Sequence, residues 1–468
     1  MKKFIALFII LGMALQSTAF AIQEPTTTSV KKIKVSKTKE NKPRKAKKDQ
    51  VRQYTLPAYW SNYNDEYLDK YIDEALTNNF DLKIAKSRIK QSEAILGTIN
   101  AQRLPQLSIN PSVYPYKSMS KFTGNFSSHN HLYFPLLLNW ELDIFGKLSD
   151  KVKSSRYQVK ISEENLNIAK LAITSEIMAS YFNIILSDCL IKNYQEIITN
   201  LDETIKLKRQ LYEGGIIPYD NLYTTEYEVV VQRNTLNSLL KQREILLHQF
   251  AVLRGLSPES ESDIKRRNIN ELTLPFEEKK SVNSDLIFNR PDVVQSELEL
   301  KKAAIDVRVA RKTFLPSVNL NEMIGFENIR GGRIFNWEST VYQLGAGLLF
   351  DLYTGGYKMS YLRYNKELAK EKLYHYNNVL LNAFCEIENN LSSFKTDYNS
   401  YVEFNKATEK SEHYHDVAMI RYNNGIGNKI DALDARRQVL NNLNSMYGAK
   451  VSALVDSVNI YKSLGGSL

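Results

Sequence analysis

Two cysteines in 468 residues exclude a disulfide scaffold. Cys189 and Cys385 both fall inside long helical patterns, where small buried residues at helix interfaces are expected. Proline and glycine are also scarce, at 12 and 19 residues, and their placement tells more than their number. Neither occurs from Leu148 to Leu211 or from Tyr357 to Asn424. Each stretch therefore reads as one unbroken helix, the first a rod of roughly 95 Å. After the N-terminal segment no run of about 18 consecutive apolar residues appears, so no permanent membrane-spanning helix is expected. Phosphate-binding, HExxH, GxSxG and dinucleotide motifs are all missing. Neither an enzyme nor a cofactor is expected. His129 and His131 lack a third ligand and read as a solvated pair at a strand end.

The body of the chain also lacks a net charge. Lysine and arginine number 62 against 52 acidic residues, but residues 1–48 hold twelve basic and two acidic groups. That leaves fifty of each sign elsewhere, and a neutral body excludes a reader of DNA or RNA. The ends are informative too. Lys2 and Lys3, the apolar stretch Phe4 to Leu15 and the small-residue ending Thr18-Ala19-Phe20-Ala21 form a signal-peptide pattern over 1–21. The chain is expected to be exported. No cysteine lies near that cleavage site, so N-terminal lipidation is not expected. Residues 22–56 read as a disordered basic leader.

What is present is written twice. Leu104-Pro105-Gln106-Leu107-Ser108-Ile109 returns as Leu315-Pro316-Ser317-Val318-Asn319-Leu320. Trp140-Glu141-Leu142-Asp143-Ile144-Phe145-Gly146 returns as Leu348 to Gly355 with one insertion, and Tyr212-Glu213-Gly214-Gly215-Ile216 as Tyr422-Asn423-Asn424-Gly425-Ile426. Three landmarks in one order predict a duplicated unit, a first repeat over 57–260 and a second over 291–468, with a linker at 261–290.

Within each unit the hydrophobic period changes from two to seven. Leu132, Phe134, Leu136, Leu138, Trp140 and Leu142 alternate with a mixed face, as do Val318, Leu320, Ile324 and Phe326, then Leu344, Ala346, Leu348 and Phe350. Strands are expected at 105–117, 130–144, 315–328 and 340–352, of the length and pattern of a membrane barrel. Four strands cannot close a barrel, and an open edge in lipid leaves backbone groups unpaired. Several chains must then share one, and trimerisation follows as a geometric demand. Ile177, Ile184, Ile191, Ile198 and Ile205 recur at sevens, and Leu380, Phe384, Ile387, Leu391, Phe394, Tyr398 and Tyr401 at fours and threes. These are coiled-coil seams, predicting long helices at 148–211, 219–254, 357–424 and 429–464. Trp140 and Trp337 are candidates for interfacial aromatic girdles.

These residues resemble the TolC-like outer-membrane efflux family over nearly all of 57–465. The most specific pieces are Arg290-Pro291-Asp292-Val293 running through Glu297, Ala303-Ala304 and Phe314-Leu315-Pro316, and Trp140-Glu141-Leu142-Asp143-Ile144-Phe145-Gly146-Lys147. The resemblance implies a mixed α/β membrane protein: a homotrimer with a shared twelve-stranded outer-membrane β-barrel, four strands per chain, continued by an α-helical coiled-coil periplasmic tunnel. It implies as partners a periplasmic membrane-fusion adaptor, an inner-membrane transporter of RND or ABC type, and outer-membrane lipid. It also implies a periplasmic gate at Asp431, Asp434 and Tyr422, with Asp220 the tyrosine's partner, and adaptor-contacting turns at Gly214, Gly215, Gly425 and Gly427. Gly427 stands where the best-known member of the family carries an arginine, so that link is absent or rebuilt, and Lys429 is the candidate substitute.

The charges fit a gate. Asp431 and Asp434 are three apart and share a helix face; threefold symmetry would gather six carboxylates at one axis, a ring that favours cations. The plain alternative is that Asp431 caps the final helix and Asp434 is a solvated first-turn acid. The expected function is an exit duct conducting small toxic compounds passively. The alternatives are a type I secretion channel for proteins and a periplasmic coiled-coil scaffold without a pore.

Overall fold

The computed structural model describes residues 58–119, 124, 126–260, 263–275, 284–328 and 334–466. The expected signal peptide at 1–21 and basic leader at 22–56 lie outside the described residues. The chain begins with two helices, α1 (Glu66–Asn78) and α2 (Phe80–Ala101), separated at Asn79, whose side chain caps α2 by accepting from Asp81 and Leu82. The strands β1 (Gln106–Ile109), β2 (Ser112–Met119) and β3 (Phe126–Leu142) follow. Helices α3 (Lys147–Glu213) and α4 (Tyr219–Leu253) then form a long hairpin. After a connection that includes three short 3-10 helices come α5 (Pro291–Lys312), β4 (Ser317–Asn328), β5 (Thr340–Leu349) and a second hairpin of α6 (Tyr357–Asn423) and α7 (Lys429–Ser463). The hairpins match in length, with α3 and α6 of 67 residues and α4 and α7 of 35. At about 1.5 Å per residue the longer helices reach roughly 100 Å.

The five strands form one antiparallel sheet in which β1 and β2 both lie along one edge of β3, followed by β4 and β5. The strand expected over 105–117 is thus two pieces. Pro111, without an N–H, interrupts the ladder, and Asn110 N donates to Pro135 O at 3.4 Å. Leu132 to Leu142 pair with Asn328 to Val318, so the alternating apolar residues of both strands share a face. Asp143 terminates β3 and starts α3: its carboxylate accepts from Leu148 N at 2.8 Å and Ser149 N at 2.7 Å. That corner explains the Trp-Glu-Leu-Asp-Ile-Phe-Gly run.

The main core forms where α1, α3, α4 and α7 meet. Ile72, Ile177, Met178, Tyr181, Phe182, Phe250 and Leu454 are all fully buried there, each worth about 1.5–3 kcal/mol of apolar burial. Burial then fades along the isoleucine seam toward the far end of α3. Ile177 and Ile184 are sealed, whereas Ile198 and Ile205 are half-buried. In α6 the aromatic Phe384 is exposed and its neighbour Ala383 is buried instead. Among the described residues one helix, α3, holds a stretch long and apolar enough to cross a bilayer, and over half of that stretch is buried inside the chain.

Arg290 ties the second half together. Its guanidinium donates to Asp292 at 3.0 and 2.8 Å, to Glu386 of α6 at 2.7 Å and to the Ser463 carbonyl of α7 at 2.6 Å. Pro291 opens α5 at its first turn, where a missing N–H costs nothing. The Arg-Pro-Asp run is therefore a helix start and a three-helix clamp. The cysteines divide: Cys189 is half-buried, its thiol pushed up to about 11 by burial and then by Asp188, while Cys385 is exposed on α6, contrary to the expected interface position.

Candidate functional site

The site is built at the two helix turns farthest from the sheet. α3 ends with Gly215 N donating to Tyr212 O at 2.9 Å and Ile216 N to Leu211 O at 2.8 Å. α6 ends with Gly425 N donating to Tyr422 O and Ile426 N to Arg421 O, both at 3.0 Å. Both turns are Schellman caps. Gly215 and Gly425 sit at φ 70° and 71°, a region that favours glycine. Gly214 has an ordinary φ of −77° and satisfies its own N–H on Gln210. At Gly427 the constraint is space, since a Cβ would stand 3.0 Å from Arg421 Cβ. Ile216 and Ile426, one residue past each cap, are 70% and 82% exposed.

The start of α7 settles one alternative. Asn428 is the cap, its side chain accepting from Ile430 N at 3.0 Å, so Asp431 is an exposed first-turn acid and not the capping residue. Asp431 and Asp434 line one cleft of about 360 Å³ between α6 and α7, together with Tyr414, Arg421 and Gln438. The two aspartates differ in environment. Asp434 is ion-paired to Arg437, and Arg437 also donates to Asn200 Oδ1 at 2.8 Å and Thr204 Oγ1 at 3.1 Å on α3. Among the described residues no such partner meets Asp431.

Two further cations tie α7 to α3. Lys429 pairs with Glu203, and the bond it donates raises the lysine pKa; Arg436 pairs with Glu196 at 2.6 Å. Of these, the sequence offered Lys429 alone, and its partner Glu203 and the Arg436–Glu196 pair were not foreseen, although a signal was available. Glu196 and Glu203 are seven apart on α3, and Lys429 and Arg436 seven apart on α7, the spacing of flanking charges along a coiled-coil seam. Within the first hairpin, Lys208 donates to Thr225 Oγ1 at 2.8 Å and Arg209 pairs with Glu226 at 2.7 Å. Near its tip α6 has no counterpart. Among the described residues no hydrogen bond or ion pair joins Thr408–Asn423 to α7, and the contact is a small apolar cluster of Ala418, Ala432 and Ala435.

Tyr422 and Asp220 are both exposed, on α6 and in the first turn of α4, and no hydrogen bond joins them within the chain. At the strand end, His131 departs from its expected solvated setting. It is 8% exposed, in β3, with Nε2 2.8 Å from Glu327 Oε1 of β4. The side chain of His129 lies outside the described residues. Trp140 Nε1 donates to the Arg103 carbonyl at 2.8 Å, while Trp337 is 89% exposed.

The fold has counterparts among known proteins. The family model described as outer membrane efflux protein matches residues 71–255 and again 282–466. The chain is 22% identical over 422 residues to the probable outer membrane lipoprotein SilC of Salmonella typhimurium, and 24% identical over 419 residues to the pyoverdine export outer membrane protein OpmQ of Pseudomonas aeruginosa. Each comparison covers 87% of both chains. In fold it is similar to the outer-membrane channel OprN, with a TM-score of 0.79 at 24% identity over 90% of this chain and 94% of that one. It is equally similar to the Campylobacter jejuni CmeC outer membrane channel, with a TM-score of 0.79 at 23% identity over 92% and 94%. The chain belongs to the outer membrane efflux protein family, whose members are passive outer-membrane channels and not enzymes.

Proposed function

We propose that three copies of this chain form the exit duct of a tripartite efflux system, passing small toxic compounds from an inner-membrane transporter through a periplasmic adaptor. The observation that carries the assembly is the sheet. It has one apolar face and two unpaired edges, β1–β2 on one side and β5 on the other. In lipid neither edge can stay open. Pairing β5 of one chain with β1–β2 of the next is a head-to-tail contact, and a rotation of one third closes it into a ring of twelve strand positions. A duplicated unit accounts for the double match to the family model and the equal hairpin lengths.

The helix pairs then line a periplasmic tunnel ending at the two Schellman turns. Gly214, Gly215, Gly425 and Gly427 shape the surface that meets the adaptor, with Ile216 and Ile426 as its apolar contacts. Asp431 and Asp434 form the gate ring, and Tyr422 ties to Asp220 of a neighbouring chain, since no bond joins them within one. The transporter is of RND or ABC type. Small organic cargo is supported by the names of relatives, among them pyoverdine export and toluene efflux proteins. Light scattering of the detergent-purified protein tests the assembly: a mass of three chains is expected, and a stable monomer would overturn the shared barrel.

A further inference from the structure

One acidic side chain lies on the wrong face of the sheet. Across the apolar face one row reads Leu107, Leu138, Glu322, Leu344. From Val318 to Phe326, Glu322 is the one charged side chain on that face among the described residues. It has no hydrogen-bond or ion-pair partner there. Glu322 borders a mostly apolar hollow of about 290 Å³, lined by leucines from β1, β3 and β5 together with Tyr342 and Gln343. That hollow shares Leu136 and Ile324 with a larger apolar one of about 630 Å³. Aromatic rings close the far end: Phe335 packs edge-on against Phe134 and Phe326 at 5.6 and 5.3 Å, beside Trp337.

We propose that this groove is a binding site for a single-chain amphiphile carrying a primary ammonium group, taken up from the bilayer on the outer wall of the channel. The inference rests on the reading that this face meets lipid. A carboxylate aimed at hydrocarbon without a partner is costly, and a protonated amine answers it with a charge-assisted hydrogen bond strengthened by the low dielectric. The tail then follows the strands from Glu322 to Phe326, about 13 Å at the rise of a β-strand, and ends against the aromatic rings. An alcohol of equal length fills the same groove without satisfying the carboxylate. The chemistry therefore selects for charge and not for tail.

The test uses the full chain carrying Trp140→Phe in phosphatidylcholine bilayers. Trp337 is then the one tryptophan on the apolar face, because Trp60 is buried in the helical core. Brominated dodecylamine and matched brominated dodecanol are titrated at equal mole fractions in the bilayer, and Trp337 quenching is read. The amine is expected to reach half-maximal quenching at about a tenfold lower mole fraction than the alcohol. Glu322→Gln should remove that preference and leave the alcohol curve unchanged, and Glu322→Asp should retain part of it. Equal curves in the parent protein, or a preference that survives Glu322→Gln, would overturn the site while leaving the lipid-facing reading intact. No quenching by either compound would overturn that reading and the site with it.

Discussion

The two hairpins have the same lengths and the same terminal cap, yet they are held in different ways. In the first, α3 and α4 are tied to each other by Lys208 and Arg209. In the second, α7 is tied across to α3 by Lys429, Arg436 and Arg437, and the end of α6 packs its Ala418 against Ala432 and Ala435 of α7. Polar ties hold a helix in one register, whereas a flat seam of small side chains lets it slide at little cost. Near the tip α3, α4 and α7 are thus joined by polar ties, and α6 meets α7 there through an apolar contact. The two turns share a cap and differ in a few charges on α3 and α7.

The largest effect should come from Arg437, which makes contacts with Asp434, Asn200 and Thr204 at once. Arg437→Ala removes charge-assisted bonds worth about 1.5–3 kcal/mol each at most and should raise the resting single-channel conductance several-fold. Lys208→Ala, acting inside the first hairpin, should leave conductance unchanged. Equal behaviour of the two variants would break the contrast between the hairpins. The caps come next. Gly215→Ala and Gly425→Ala each force a left-handed backbone at about 1–2 kcal/mol, and Gly214→Ala should cost less, read as a graded fall in melting temperature.

Selectivity sharpens the contrast further. Asp434 is neutralised by Arg437 and Asp431 is not, so Asp431→Asn should weaken cation preference in planar bilayers more than Asp434→Asn does. The reverse order would place the field at Asp434. The smallest effect concerns pH. Asp456 of α7 is pushed up to about 6, first by burial and then by the Asp397 charge on α6. An acid with a raised pKa in the folded state binds its proton more tightly there than when unfolded. Stability is therefore gained as pH falls from neutral through about 6 and lost as it rises through that value. Melting temperatures at pH 5 and pH 8 should differ more in the parent protein than in Asp456→Asn, and equal differences would remove this pair from the account.

Much of this organisation was legible in the residues. The absence of proline and glycine from 148–211 and 357–424 marked the long helices, because nothing else interrupts a backbone hydrogen-bond ladder so reliably. Alternation marked the strands, and Pro111, a residue that breaks a ladder, divides the first of them. The paired glycine turns located the tips. The ties did not appear, because Glu196 and Glu203 meet Lys429 and Arg436 more than two hundred positions away, and charges repeating at sevens on separate helices become informative only once those helices are known to be neighbours. Glu322 was hidden differently. It falls in step with Leu320 and Ile324, so a period of two that is otherwise apolar masks it. His131 looked solvated because its partner, Glu327, lies on a strand from the other half of the chain.

The most direct test of the proposed gate at the helical tips is the single-channel conductance of the unmodified protein in a planar bilayer. Small, cation-selective current steps are predicted, rising when Arg437 is replaced. A preparation that gives no steps at all, or steps already as large as those of Arg437→Ala, would contradict it.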